Sequence, residues 1–458
     1  MHSDLLTPLF ATKPMRNVLS DKRRLEAMLA FEAALAKAEA DTGLIPADAA
    51  MTIAEACRTF EPDIGALGEA TRLSGNPAIP FIRALTAHCP EPGKGWVHWG
   101  ATSQDVIDTA ASLVGQQAMT VLDSQLRSFG ETLVQKARTY SGTVMPGRTL
   151  LQPALPVTFG FKLAGWLDML TRCRTSLKAA AANGLVLQFG GAVGTLAAIH
   201  AAEYTDTAET IDAKEVRTAL GRTLGLPVAD ITWHTLRDRV ARLGSELAIL
   251  TAALAKMAGD TELLMQAEVG EASEPAGPGR GGSSTMPQKR NPVAAVAVRA
   301  NATKAAGLAG SLIAAMPQEH ERGAGGWHAE WMILPDLFEL ASGALAHMSE
   351  TVAGIEVREE RMRENLDIGN GTLMAEALMM ALAPETGRLE AHHRVEAAAR
   401  RAIAENRPLA DICSETPEIA EVLGAEGIER ALDPAGYLGL AAASVDTVVA
   451  RWHEQEND

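Results

Sequence analysis

The chain has 458 residues, enough for about three domains or one large multi-layer unit around a sizeable core. Its 57 acidic against 41 basic side chains leave 16 net negative charges, which disfavours nonspecific binding to nucleic acid or to an anionic membrane. Hydrophobic residues make up 47% and aromatic ones only 4%, which excludes disordered and collagen-like classes, disfavours an all-β protein and suits an Ala- and Leu-rich helical one.

The opening stretch MHSDLLTPLFATKPMRNVLS lacks a basic region followed by an apolar core, so no secretory signal is expected. The Pro- and Gly-rich stretch Ser74 to Gly95 reads as a separator ahead of the first long helix. Val114, Ala118, Leu122, Leu126, Phe129 and Leu133 mark that helix by the spacing of a bundle member. Leu185 to Ala202 is the most apolar run, but Gln188, Gly190, Gly191 and Gly194 break it, so no membrane span is expected. Leu236, Val240, Leu243, Leu247, Leu250, Leu254 and Met257 alternate fours and threes, the strongest helical signal in the chain. A third long helix is predicted from Pro292 through an Ala-rich run to Met316, and shorter helices after about Glu350. The expected fold class is all-α, divided as residues 1–103, a central bundle over 104–350 and a small helical domain over 351–458. No short β-branched runs alternate with helices, so a Rossmann sheet is disfavoured. Cys57, Cys89, Cys173 and Cys413 form no CxxC pair, which fits a reducing cytoplasm better than a zinc site or a disulfide framework.

Three polar segments stand out. In GGSSTMPQKRNP, Gly281 to Pro292, glycines let several N–H groups converge, serines add hydroxyls, and Lys289 and Arg290 add charge; the composition fits an anion site or a flexible linker. It is not a P-loop, since no GxxxxGK[ST] pattern fits. HWGATSQDVIDTA, starting at His98, leads into the first long helix with Thr102 or Ser103 as cap and Asp105 in the first turn; a helix start of this kind also receives carboxylates. MPQEHERGAGGWHAEW, residues 316 to 331, offers Arg322 as a carboxylate fork, while His320 and His328 lie eight apart, the wrong spacing for a helical metal pair. His392 and His393 read as solvated helix residues rather than ligands.

These segments, in this order and separated by long helices, resemble the fumarase/aspartase superfamily, whose signature loop reads GSSxMPxKxNP; Gly282 to Pro292 matches it at every fixed position. GRTLLQPALPVTFG at 147 to 160 and QFGGAVGTLAA at 188 to 198 look like its other characteristic regions. The resemblance implies an elongated, almost all-α subunit of three domains, a homotetramer with active sites shared between subunits, and Ser283 as the group that moves a proton. Within the superfamily, the adenylosuccinate-lyase branch carries GRTHxQ with a general acid/base His where this chain has Leu150, and ThrxHisAspVal where it reads SGNPAIPF, residues 74 to 81. Those departures look like the cycloisomerase branch, which lactonises a carboxymuconate in protocatechuate breakdown; an adenylosuccinate-lyase-like C–N lyase is the alternative.

The chemistry makes Leu150 intelligible. Elimination of nitrogen needs an acid beside a basic leaving group, whereas lactonisation uses the substrate's own carboxylate, with a pKa of about 4 and ionised at neutral pH. Charge then builds into an enediolate, for which Lys289, Asn291 and loop N–H groups are the expected holders. The small tricarboxylate substrate needs anchors, expected at Thr102 with Ser103, at Arg148 with Thr149, and at Lys289 with Asn291, with Arg322 or Arg16 closing the pocket and His98 binding substrate or orienting the turn. No cofactor or metal is expected. A noncatalytic scaffold is a reading from another class, disfavoured by the intact Ser283 and Lys289.

Overall fold

In the computed structural model the described residues are 3–200, 212–282, 284–286 and 288–457. The elements that position the site are α1 (Asp21–Asp41), α2 (Ala78–His88), α3 (Ser103–Thr139), the hairpin β1 (Val144–Thr149) and β2 (Gln152–Thr158), α4 (Phe159–Gly184), α5 (Asp238–Met265), α6 (Val293–Ala315) and α7 (Gly326–Ala353). The fold is all-α apart from short two-stranded pieces. The apolar stripe from Val114 to Leu133 is buried in α3, and that from Val240 to Met257 is buried in α5. Leu236, the first member of the second stripe, falls before α5 begins and is exposed. No helix among the described residues is long and apolar enough to cross a membrane.

The chain packs as two units. The first comprises Met1–Gln125, Cys173–Ala252 and Ala300–Ala346. Its apolar core joins Phe31, Leu35, Phe81, Val106 and Phe189. At Gly244 of α5 an added Cβ would stand 2.2 Å from Leu312 of α6 and 3.1 Å from Leu337 of α7, so only glycine admits this close approach of three helices. The stretch read as a separator contains α2. Asn76 Oδ1 accepts the N–H groups of Ala78 and Ile79, and Ala78, Phe81 and Leu85 bury one face, so capping and a short apolar stripe outweigh the prolines.

The second unit comprises Leu126–Arg172, Ala253–Arg299 and His347–Asp458. Leu378, Leu382, Val395, Ile412, Ile419 and Ile428 form the core of the short C-terminal helices. The 147–160 segment, given no strand from the sequence, forms the β1–β2 hairpin with Val144 opposite Thr158 and Thr149 opposite Gln152. Its turn residues Leu150 and Leu151 both have positive φ, 50° and 67°, the geometry of a type I′ turn that ordinarily takes Asn-Gly. All four cysteines are buried free thiols.

Candidate active site

The start of α3 gathers polar groups from several segments. Asp105 reaches back to accept the Thr102 N–H at 3.1 Å, half of a capping box. The same buried carboxylate accepts the N–H groups of Gly190 and Gly191 at 3.0 and 2.9 Å and takes His234 Nε2 at 2.8 Å. Asp105 therefore does more than add charge to a helix turn: it ties the glycine segment and the segment ahead of α5 to the head of α3. With Asp105 serving the cap, the hydroxyls of Thr102 and Ser103 are left for Arg322, whose terminal nitrogens donate to them at 2.9 and 3.4 Å. Arg322 makes no ion pair among the described residues and lies 5.8 Å from the Trp327 ring. Burial pulls its guanidinium below the usual range, against the charges of Asp105 and Asp108. A half-buried guanidinium satisfied only by neutral hydroxyls, at the positive end of a 37-residue helix, is suited to a carboxylate.

His98 precedes this start. Its Nδ1 lies 2.7 Å from Glu32 Oε1 on α1. Burial lowers the imidazole pKa, but the charge and hydrogen bond of Glu32 and the charge of Asp105 outweigh it and leave the pKa raised. Arg16 lies half-buried 3.9 Å from Asp4.

In the second unit, Asn291 closes the signature loop: its N–H donates to Gly281 O at 2.9 Å, and its side-chain amide donates to the carbonyls of Gly281 and Gly282. Gly281 has φ 66°, and a Cβ there would meet Asn291 O at 2.7 Å, so the closure requires glycine. Arg290 forks onto Glu356 and donates to Glu274 O, while the Glu274 carboxylate caps α6 through the N–H groups of Ala294 and Ala295. Of the two basic loop residues, Arg290 is thus committed to the scaffold and Lys289 stands exposed. Ser283, expected to move the proton, lies outside the described residues. Arg148 forks onto the fully buried Glu271 at 2.9 and 2.6 Å, and Asn365 also donates to that carboxylate at 2.7 Å. Both terminal nitrogens of Arg148 are therefore engaged in fixing β1, beside the exposed Thr149 and Leu150, the latter 97% exposed.

His98, Thr102, Ser103 and Arg322 belong to the first unit, and Arg148, Thr149, Lys289 and Asn291 to the second. Glu32, His234 and Glu271 are the partners that sequence reasoning missed. Glu32 lies among apolar neighbours inside α1, which is a signal in the sequence; His234 and Glu271 lie in polar stretches and carry none. His320 and His328 stay apart in role: His320 O accepts from Thr235, and His328 Nε2 faces Gly75 O. His392 and His393 are exposed, as expected of solvated helix residues.

The family described as "Lyase" matches residues 10–307, and the one described as "Adenylosuccinate lyase C-terminus" matches residues 371–448. The chain is 46% identical to the 3-carboxy-cis,cis-muconate cycloisomerase of Pseudomonas aeruginosa, covering 98% of this chain and 97% of that protein. It is 45% identical to the enzyme of the same name from Bradyrhizobium diazoefficiens, covering 98% of each. Its structure is similar to that of the 3-carboxy-cis,cis-muconate lactonizing enzyme from Pseudomonas putida, with a TM-score of 0.91, 42% identity and 99% of each chain covered. With the signature loop closed on Asn291 and matches of this extent, the chain belongs to the lyase family, the fumarase/aspartase superfamily that its sequence resembles.

Proposed function

We propose that this chain catalyses the cycloisomerase reaction, adding a carboxylate of 3-carboxy-cis,cis-muconate across a C=C bond to give 4-carboxymuconolactone in protocatechuate breakdown by the β-ketoadipate route. The observation that carries the reading is Leu150. At the hairpin tip, where a C–N lyase needs an acid for its leaving nitrogen, the chain presents an exposed leucine held by the Arg148–Glu271 fork. An entering carboxylate is already ionised and needs no proton partner there. The relatives' names agree with it. The C-terminal family match supports the adenylosuccinate-lyase-like alternative.

In this reading Arg322, Thr102, Ser103 and His98 bind one substrate carboxylate, and Thr149 beside Arg148 bounds a second. Lys289 with loop N–H groups holds the enediolate, and Asn291 shapes that loop from its base. Ser283 delivers the proton to the α-carbon, a step that demands an oxyanion-stabilising neighbour such as Lys289. The reaction uses only these side chains and no cofactor. We further infer a cytoplasmic homotetramer with sites shared between subunits, supported by exposed Leu150, Leu151, Val296, Ile313 and Met332. We also infer a division into residues 1–103, 104–350 and 351–458, which differs from the two packing units; the change to short helices after Ala353 supports its last boundary.

Purified protein is expected to bleach the ultraviolet absorption of 3-carboxymuconate as conjugation is lost. No bleaching, together with cleavage of adenylosuccinate, rejects the reading in favour of the lyase. Leu150→His is expected to leave the cyclisation rate unchanged or lower in the same assay, since the entering oxygen has no proton to exchange; a large rate increase removes the leaving-group argument.

A further inference from the structure

Helix α1 carries two carboxyls inside an apolar core. Glu32 is 1% exposed and Glu39, two turns further on, 0% exposed, among Phe31, Leu35 and Phe189. Glu32 Oε1 meets His98 Nδ1, while Glu32 Oε2 and both Glu39 oxygens have no hydrogen-bond partner among the described residues. An ionised carboxylate in such surroundings is costly unless it is paired. A leucine at either place would serve the core better. Glu39 avoids the cost by keeping its proton: burial, and then the charge of Glu32, push its carboxyl up to about 9. One negative charge remains, on Glu32, and one imidazole meets it.

His98 is held in turn by an unusual backbone. Its φ is 61°, a left-handed conformation that strains a residue with a side chain. The imidazole is 14% exposed, and because Glu32 occupies Nδ1, Nε2 is the end left to donate. Four residues on, Thr102 receives Arg322. A buried acid with a single partner, strain at that partner, and an imidazole and a guanidinium that both feel the charge of Asp105 at the head of α3 serve a ligand, not the core.

We propose that Glu32 is a positioning residue for substrate: it clamps Nδ1 of His98 so that Nε2 donates to the carboxylate bound at Arg322, Thr102 and Ser103. The proposal rests on the site reading given under Proposed function. The charged groups acting on the imidazole are Glu32 from α1 and Asp105 from α3. Glu39 stands behind the first and His234 is bonded to the second. Together they favour the imidazolium, a stronger donor to a carboxylate than neutral imidazole.

The test is Glu32→Gln in the full-length protein, assayed from pH 6 to 9 for cyclisation and, by calorimetry, for binding of tricarballylate, a tricarboxylate that cannot cyclise. Loss of a charge-assisted contact is expected to raise KM about tenfold or more while kcat falls much less. The alkaline limb of log kcat/KM moves to lower pH, because the imidazolium loses its counter-charge. Tricarballylate binding weakens in parallel, and Glu32→Asp restores part of both. Where the amide prevents folding, Glu32→Leu suits the apolar core and carries the same expectations. A Glu32 variant that loses thermal stability but keeps the wild-type KM and pH profile overturns the clamp and leaves the cyclisation reading standing. Wild-type protein that binds tricarballylate with a pH dependence abolished by Glu32→Gln, yet never bleaches carboxymuconate, upholds the clamp and overturns the reaction.

Discussion

Lys289→Met is expected to lower the turnover number by about 10²–10³-fold with the assembly unchanged, the loss typical of removing one preorganised donor from a developing oxyanion. The reason lies in how the loop divides its charge. Arg290 is spent on Glu356 and the Glu274 carbonyl, and burial does not hide Lys289, so only the lysine of this pair is left for a ligand. Substitution of an exposed residue leaves the loop's closure by Asn291 and Gly281 untouched, so the effect belongs to chemistry rather than to folding. Ser283→Ala is expected to be at least as severe, since no other loop hydroxyl is assigned the proton. Ultraviolet decay with size-exclusion chromatography checks both. Turnover within a few-fold of wild type in either variant removes that residue from its role.

The long helices were legible because their signal is local: α3 and α5 announce themselves through apolar residues three and four apart, and those residues are buried. The GSSxMPxKxNP loop was legible as a string. The hairpin was not, since its turn uses two leucines where Asn-Gly would have signalled it, and the strain there is held by the distant Arg148–Glu271 fork. The site's electrostatics were least legible. Glu32 with His98, Asp105 with His234, and Arg148 with Glu271 are separated by 66, 129 and 123 residues, and no periodicity connects such partners. The pairing of Arg148 with Glu271 was not legible because the two lie in separate segments with no pattern that links them. Arg322 stood out in the sequence because its segment carried several unusual polar residues at once.

Arg237→Met is expected to destabilise the protein by about 3–5 kcal/mol at pH 8, the range for leaving a buried charge without its partner. Arg237 is 3% exposed and bonds two carboxylates. It meets Asp108 of α3 at 2.8 and 3.2 Å, and Glu330 of α7 through Nε at 2.9 and 3.1 Å and through a terminal nitrogen. Trp327 Nε1 and Gln104 also donate to Asp108. Burial already raises the Glu330 carboxyl against the opposing pull of Arg237. Without the guanidinium, Glu330 holds its proton to higher pH in the folded chain, while the unfolded chain releases it near pH 4. Above that pH the folded state binds more protons, so stability falls as pH rises, and the deficit against wild type grows from pH 5 to pH 8. Denaturant titrations at the two pH values measure it. A deficit under about 1 kcal/mol, or one independent of pH, means the triad is not an uncompensated-charge site. Adding Asp108→Asn and Glu330→Met should recover much of the loss, because an uncharged set of similar volume has no charge left to solvate, and the amide oxygen of Asn can still accept from Trp327. Function should follow stability. Asp108 lies three residues beyond Asp105, and Trp327 and Glu330 follow Arg322 on the same stretch of chain, so this triad sets the spacing at which Arg322 meets Thr102. The folded fraction of Arg237→Met is therefore expected to show a raised KM even where it retains its turnover number.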